Sequence, residues 1–290
     1  MITVKLMGGL GNQLFQYAAG RRLALLNNAE MRLDLSSFYV RQKSTTVRHY
    51  ELQRFNIQAT WQQPARFERV LLRLPYLSSL RQKMLLRGMS CVKEKYYHFD
   101  PTFLKLRGNI YLDGYWQSYK YFEDIRSKLL AELTLNTLPS DANFKMAREI
   151  EQSESVVLHV RRGDYITNTQ AQKFHGVCGI DYYQQAIEAI QKKIVNPHFF
   201  VFSDDPAWTQ EHIKISSPTT YVTHNLSNQG YEDLRLMNKG KHFIIANSSF
   251  SWWGAWLSRH KNKIVYAPRR WFADESINTN DLIPSTWHRI

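Results

Sequence analysis

Apolar residues arrive in short dense runs, separated by longer stretches in which they recur every three to four positions. Residues 2–6 and 31–35 read as strands, and between them residues 12–26 place Leu14, Phe15, Ala18, Leu23 and Leu26 on one helical face. A strand, a glycine turn, a helix and a second strand form the opening of a βαβ unit. The middle of the chain is less regular. Residues 64–87 are rich in Leu and Arg, with apolar positions at helical spacing. A strand predicted over 109–116 runs into Tyr115, Trp116 and Tyr119, aromatics expected in a core or an interface.

The second half alternates cleanly. Strands are predicted over 155–160, 198–202, 219–223, 241–246 and 263–266, and helices over 182–194, from 207, over 232–238 and over 250–258. Short strands dense in Val, Ile and Phe are buried on both faces of a parallel sheet, so this half reads as a doubly wound α/β domain. A loop and a connecting helix over 137–155 mark the boundary, dividing the chain into domains at 1–150 and 151–290. A length of 290 residues suits two domains, each able to bury a core.

Composition narrows the functional classes. Hydrophobic residues make up 43% and charged residues 22% of the chain, which excludes a disordered or fibrous protein. No apolar run approaches the roughly 18 residues that span a bilayer, so an integral membrane protein is not expected. The 38 Lys and Arg exceed the 25 Asp and Glu by 13. Such a field favours an anionic partner: nucleic acid, a nucleotide or the headgroups of an acidic membrane. The N-terminus does not read as a secretory leader, and Cys91 and Cys178 are too few and too far apart for a disulfide framework or a metal set. A chain that starts at Met1 in a reducing cytoplasm is the expectation.

Four polar segments follow predicted strands, at the edge where open α/β sheets bind ligands. His159, Arg161, Arg162, Gly163 and Asp164 close the strand at 155–160. Paired guanidinium groups at the rim of an apolar sheet suit a phosphate, or a loop-organising ion pair of either arginine with Asp164. Residues 162–164 also spell an adhesion tripeptide, a match short enough to arise by chance. Gly8, Gly9 and Gly11, with Asn12 and Gln13, form a turn at a helix start that is open to negative charge. A dinucleotide fingerprint fails there because Leu14 stands where the third glycine belongs, although Asp34 lies near the acidic position. Asp204 and Asp205 suit a metal, a ribose or base contact, or a helix cap, with Ser203 or Asp204 as the expected cap. Ser248, Ser249 and Phe250 open another helix, where backbone amides make an anion site, and the tryptophans beside them are expected to pack. His175 and Cys178 are an isolated pair without the further ligands that zinc needs.

In order and spacing, GGLGNQLFQYA at 8–18, HVRRGDY at 159–165, FVFSDD at 200–205 and ANSSFSWWGAWL at 246–257 resemble segments of the α-1,2-fucosyltransferases of glycosyltransferase family 11. The likeness covers nearly the whole chain. It implies an α/β fold of GT-B type, two facing Rossmann-like domains across a donor cleft, with 1–150 on the acceptor side and 151–290 binding the donor. It also implies GDP-β-L-fucose as donor, inversion at the anomeric carbon, a galactose-terminated glycan as acceptor, and no cofactor or required metal. By the resemblance, Arg161 matches the arginine on the donor β-phosphate, with Arg162 and Asp164 supporting its loop and Asp164 counted beside Arg161 as catalytic. Gly9, Gly11, Asn12 and Gln13 would approach the donor from the first domain. His159, Ser248, Ser249 and Phe250 would line its phosphates and sugar, and Asp204 or Asp205 would touch the guanosine. The proton acceptor stays open among Asp164, His159 and a β-phosphate oxygen. The expected location is the cytoplasm, peripheral at the acidic inner-membrane surface, with no nucleic acid as partner. A nucleotide-dependent oxidoreductase and a nucleic-acid-binding protein are the competing readings, the second lacking any recognisable binding module.

Overall fold

The computed structural model describes residues 1–40, 47–65, 69, 72, 86–163, 174 and 176–290. The chain divides into two compact units, Met1–Asn136 with Asn278–Leu282, and Thr137–Ile277 with Ile283–Ile290. The expected boundary at 150 therefore moves back. The helix Asp141–Gln152 belongs to the second unit because its Asn143 is buried against that unit's Asn225 and Glu232. Residues 278–282 join the first unit because Asp281 is held there: its carbonyl accepts from Ser118 Oγ at 2.9 Å, and its carboxylate pairs with Lys120.

The first unit is built on a parallel sheet. Its central strand β1 (Ile2–Lys5) buries Ile2 and Val4 completely, and helix α1 (Leu10–Leu26) returns over it on Leu14, Phe15, Ala18 and Leu23. On one side lie β2 (Met31–Asp34) and β3 (Thr60–Trp61); on the other lie β5 (Ile110–Asp113) and then β4 (Ser90–Lys93), giving the order β3-β2-β1-β5-β4. The strand order thus reverses between β1 and β5, whose carboxyl ends are joined by an ion pair of Lys5 and Asp113 at 3.0 Å. A short helix α2 (Arg126–Glu132) presents Glu132 to Tyr17 and Arg21 of α1. β3 and β4 escape sequence reading because they are short edge strands with mostly exposed side chains. The helix predicted over 64–87 lies mainly outside the described residues.

In the second unit, helix α3 (Asp141–Gln152) leads into β6 (Ser155–Val160), all six residues of which are buried. There follow α4 (Ile180–Gln191), β7 (His198–Ser203), α5 (Pro206–His212), β8 (Thr219–Tyr221), α6 (Gly230–Met237), β9 (His242–Ile244), α7 (Ser249–Leu257), β10 (Val265–Ala267) and β11 (His288–Arg289). The sheet is parallel throughout, in the order β11-β10-β9-β6-β7-β8. Counted within the unit this is 6-5-4-1-2-3, the Rossmann order, whose switch point lies between β6 and β9. Val156, Leu158, Val160, Ile187, Ile190, Phe199, Val201 and Ile244 form its core. The tryptophans of α7 pack as expected, Trp252 and Trp253 edge to face and Trp252 against Trp287. Two Rossmann-like units are the components of the GT-B class. Among the described residues no helix is long and apolar enough to cross a membrane.

Candidate active site

At the carboxyl end of the second sheet, β6 and β7 run in register, with His159 opposite Phe202 and Val160 opposite Ser203. That register delivers Arg161 and Arg162 beside Asp204 and Asp205. Arg161 Nη1 lies 2.9 Å from Asp204 Oδ2, and the backbone N–H of Arg162 donates to Asp204 Oδ1 at 2.8 Å. A side chain at Gly163 would sit 2.6 Å from the same carboxylate, so only glycine allows this approach. Arg162 stacks on Trp208, its guanidinium carbon 3.4 Å from the ring centroid, with Nε 3.5 Å from Asp205 Oδ2. Trp208 stacks in turn on His212.

Both aspartates are therefore engaged by protein. Asp205 is the cap of α5, accepting from Trp208 N at 3.3 Å, where Ser203 or Asp204 was expected; Ser203 Oγ instead accepts from Asp205 N. Asp204, expected at the guanosine or at a metal, holds the arginine loop. Asp164 and Tyr165 lie outside the described residues, as does His175 of the isolated His-Cys pair. Cys178 is buried, and its Sγ donates to Asn247 Oδ1 at 3.3 Å. Among the described residues, no group of three or more His, Cys, Asp or Glu is placed to hold a metal ion.

Across the switch point, Asn247 is fixed by the carbonyls of Gly176 and Trp271, and Tyr182 Oη donates to Ile245 O at 2.6 Å. This bracing aims the start of α7 at the sheet edge. Ser248 is its N-terminal cap residue, and the N–H groups of its first turn, from Ser249 and Phe250 onward, carry the positive end of the helix dipole. The Phe250 ring stands 5.7 Å from that of His159. His159 is 5% exposed, and its Nδ1 has no hydrogen-bond partner among the described residues. Burial pushes its imidazole well below the ordinary range; Asp204 opposes the shift and Arg161 adds to it. A neutral imidazole, a fixed guanidinium and a helix N-terminus on neighbouring strands form a floor suited to a phosphate.

The glycine turn of the first unit departs further from expectation. Gly8 adopts φ +77°, a left-handed conformation that suits glycine, but Gly11 is buried inside the first turn of α1. Gln13 is fully buried: Nε2 donates to Gly8 O and His49 O at 3.0 and 2.8 Å, and Oε1 accepts from Glu51 N at 3.0 Å. It holds the turn closed and is not open to a ligand. Asn12 Oδ1 accepts from Gln117 Nε2 at 2.8 Å. Arg48 lies beside Gly9, 3.6 Å from where a side chain there would begin. Asp34, near the acidic position of a dinucleotide site, is used by Tyr111 Oη at 2.7 Å and by Ser36. Sequence reading passes over Trp208, Arg48 and Gln117. Only Trp208, three residues beyond the Asp205 cap, carried a local signal.

The sequence profile of Glycosyl transferase family 11 matches residues 1–290. The chain belongs to glycosyl transferase family 11. This family 11 glycosyltransferase is 36% identical over 299 residues to the O-antigen biosynthesis glycosyltransferase WbnK of Escherichia coli, covering 97% of its own length and 98% of that relative. It is 33% identical over 299 residues to an alpha-1,2-colitosyltransferase of Escherichia coli, covering 100% and 99%. The galactoside alpha-(1,2)-fucosyltransferase 2 of Pongo pygmaeus is 27% identical over 263 residues, 88% of this chain and 68% of that one. Among solved structures, an Arabidopsis thaliana FUT1 variant in complex with GDP shares the fold at TM-score 0.50 and 12% identity, over 95% of this chain and 72% of that chain.

Proposed function

We propose that this glycosyltransferase moves L-fucose from GDP-β-L-fucose, with inversion, to the 2-hydroxyl of a terminal galactose on an oligosaccharide or surface polysaccharide unit. The observation that carries the reading is the Arg161 guanidinium fixed by Asp204 at the switch point of the second sheet, one strand from the start of α7. Breaking the bond from fucosyl C1 to phosphate leaves negative charge on GDP and a cationic sugar. A guanidinium already oriented before reaction stabilises that charge more in the transition state than in the ground state. The amides of Ser249 and Phe250 add the positive end of a helix to the same diphosphate. With these cations supplied by protein, transfer is expected to continue in a chelator.

In this reading the second unit takes the donor and the first unit serves the acceptor. A neutral His159 is free to accept a hydrogen bond from the sugar or the acceptor. The proton of the attacking hydroxyl passes to Asp164, to His159 or to a β-phosphate oxygen. The excess of 13 positive charges supports peripheral attachment to an acidic membrane, to be tested by co-sedimentation with anionic and neutral vesicles at low salt.

The test of the donor site is Arg161→Ala assayed with GDP-fucose and a panel of galactosides. Transfer is expected to fall by about a hundredfold or more with circular dichroism unchanged; near-normal transfer overturns the phosphate role. The 33% identity to an alpha-1,2-colitosyltransferase favours one second reading, a donor that lacks the 3-hydroxyl of fucose. Competition between GDP-fucose and GDP-colitose, with NMR assignment of the product linkage, decides between them. An oxidoreductase is disfavoured by the occupied Asp34 and the closed Gln13 turn.

A further inference from the structure

Three backbone donors of the first unit meet on one carboxylate. Glu94 follows β4, and its oxygens accept from Tyr115 N at 2.6 Å and Trp116 N at 2.9 Å, with Gln117 N as a third donor. The loop so held is strained. Trp116 adopts φ +56°, a left-handed conformation that is unfavourable for a residue with a side chain and persists only when its surroundings enforce it. Its indole is buried against Phe103 and Tyr121. Gly114 makes the clamp possible: a side chain there would lie 2.9 Å from Glu94 Oε2.

The loop lies at the reversal of strand order between β1 and β5, where this sheet is open to ligands. From it the Gln117 side chain crosses to Asn12 Oδ1 on the opposite lip, and Tyr115 is presented partly exposed. We propose that Glu94 is a positioning residue: its ionised carboxylate holds the 115–117 loop and, through Gln117, sets the orientation of the Asn12 carboxamide in the glycine turn. The catalytic consequence rests on the glycosyl-transfer reading above; the coupling itself does not.

Burial pushes the Glu94 carboxyl up to about 7, against the three N–H donors that favour its charged form. The charged and titratable groups around it are Tyr115 and Tyr121, with Tyr97, Arg48 and Asp113 beside Tyr115 and Lys5 paired to Asp113. The clamp therefore closes as pH rises through neutrality.

An NMR titration of the full chain between pH 5 and 9, without donor, tests the coupling. The Glu94 carboxyl, the amides of 115–117 and the Asn12 side-chain amide are expected to share one midpoint. In Gln117→Ala the backbone amides keep titrating and Asn12 falls silent. A silent Asn12 in the unmodified chain overturns the proposal, as does a Glu94 that titrates in the ordinary carboxylate range. Because this arm uses no nucleotide sugar, it reads the clamp even if the donor assignment fails. In the transfer assay, kcat/KM is expected to fall on the acid side with the same midpoint. Gln117→Ala should lower kcat about tenfold with GDP affinity by calorimetry unchanged. A flat profile across pH 6–8 overturns the role in transfer.

Discussion

Arg161 and Asp204 stand at the ends of adjacent parallel strands and meet in an ion pair of 2.9 Å, while the same carboxylate takes the backbone N–H of Arg162. One side chain thus fixes both the charge and the path of the arginine loop. In Asp204→Asn the amide oxygen still accepts from Arg162, but the charge that orients the guanidinium is gone. Transfer is expected to drop about tenfold or more, with a smaller loss of GDP affinity. Measuring kcat and the calorimetric affinity side by side checks this; a loss of affinity with kcat unchanged would assign Asp204 to ground-state binding alone.

The buried His159 gives stability a pH dependence of definite sign. An unfolded chain protonates this histidine below about pH 6.5, whereas burial keeps the folded one neutral to lower pH. The unfolded state therefore binds more protons in that window, and stability falls as pH falls. Between pH 7 and 5.5 the contribution lost is about 1 kcal/mol. Urea denaturation of the chain and of His159→Gln at both pH values should show a shallower decline in the variant; parallel declines would remove His159 from the account.

Arg162 stands over Trp208 with its guanidinium carbon 3.4 Å from the ring centroid. A lysine keeps the charge but has no planar face to stack. Arg162→Lys and Trp208→Leu should each destabilise the second unit, and the double variant should cost less than their sum by about 1 kcal/mol. Strict additivity in the double-mutant cycle would mean that the stacked geometry contributes nothing.

In the first unit, Glu132 accepts from Tyr17 Oη at 2.6 Å and from Arg21 Nη2 at 2.8 Å, with little of either ionic side chain exposed. Arg21→Met leaves a buried carboxylate without its cation, and a loss of about 3 kcal/mol is expected. Adding Glu132→Leu should recover much of it, because the pair is more costly half-removed than absent. Chemical denaturation of the single and double variants reads this directly.

Strands such as β6 and β7 were legible because an apolar run buried on both faces leaves no ambiguity, and the Rossmann alternation followed from them. The arginines at the end of β6 were legible for the same reason: the strand that carries them announces where it stops. Gln13 was misread because a polar side chain beside a ligand and one satisfying buried backbone look alike in sequence. Its partners, Gly8 O and His49 O, are set by the fold of a distant loop. The helix cap fell to Asp205 and not to Ser203 or Asp204 because capping depends on one residue of phase, which strand pattern does not resolve. Glu94 was invisible since β4 is an exposed edge strand whose pairing with β5 comes from tertiary structure.

The return of residues 278–282 to the first unit has a consequence for how the protein is made. N-terminal domains generally fold first on the ribosome. Here the first unit can form its sheet early, but the contacts of Asp281 with Ser118 and Lys120 must wait until Asp281 has been synthesised, after the core of the second unit. Birth order and completion order are therefore reversed for this part of the molecule, and the loop around Ser118 is the last piece of the older unit to be secured.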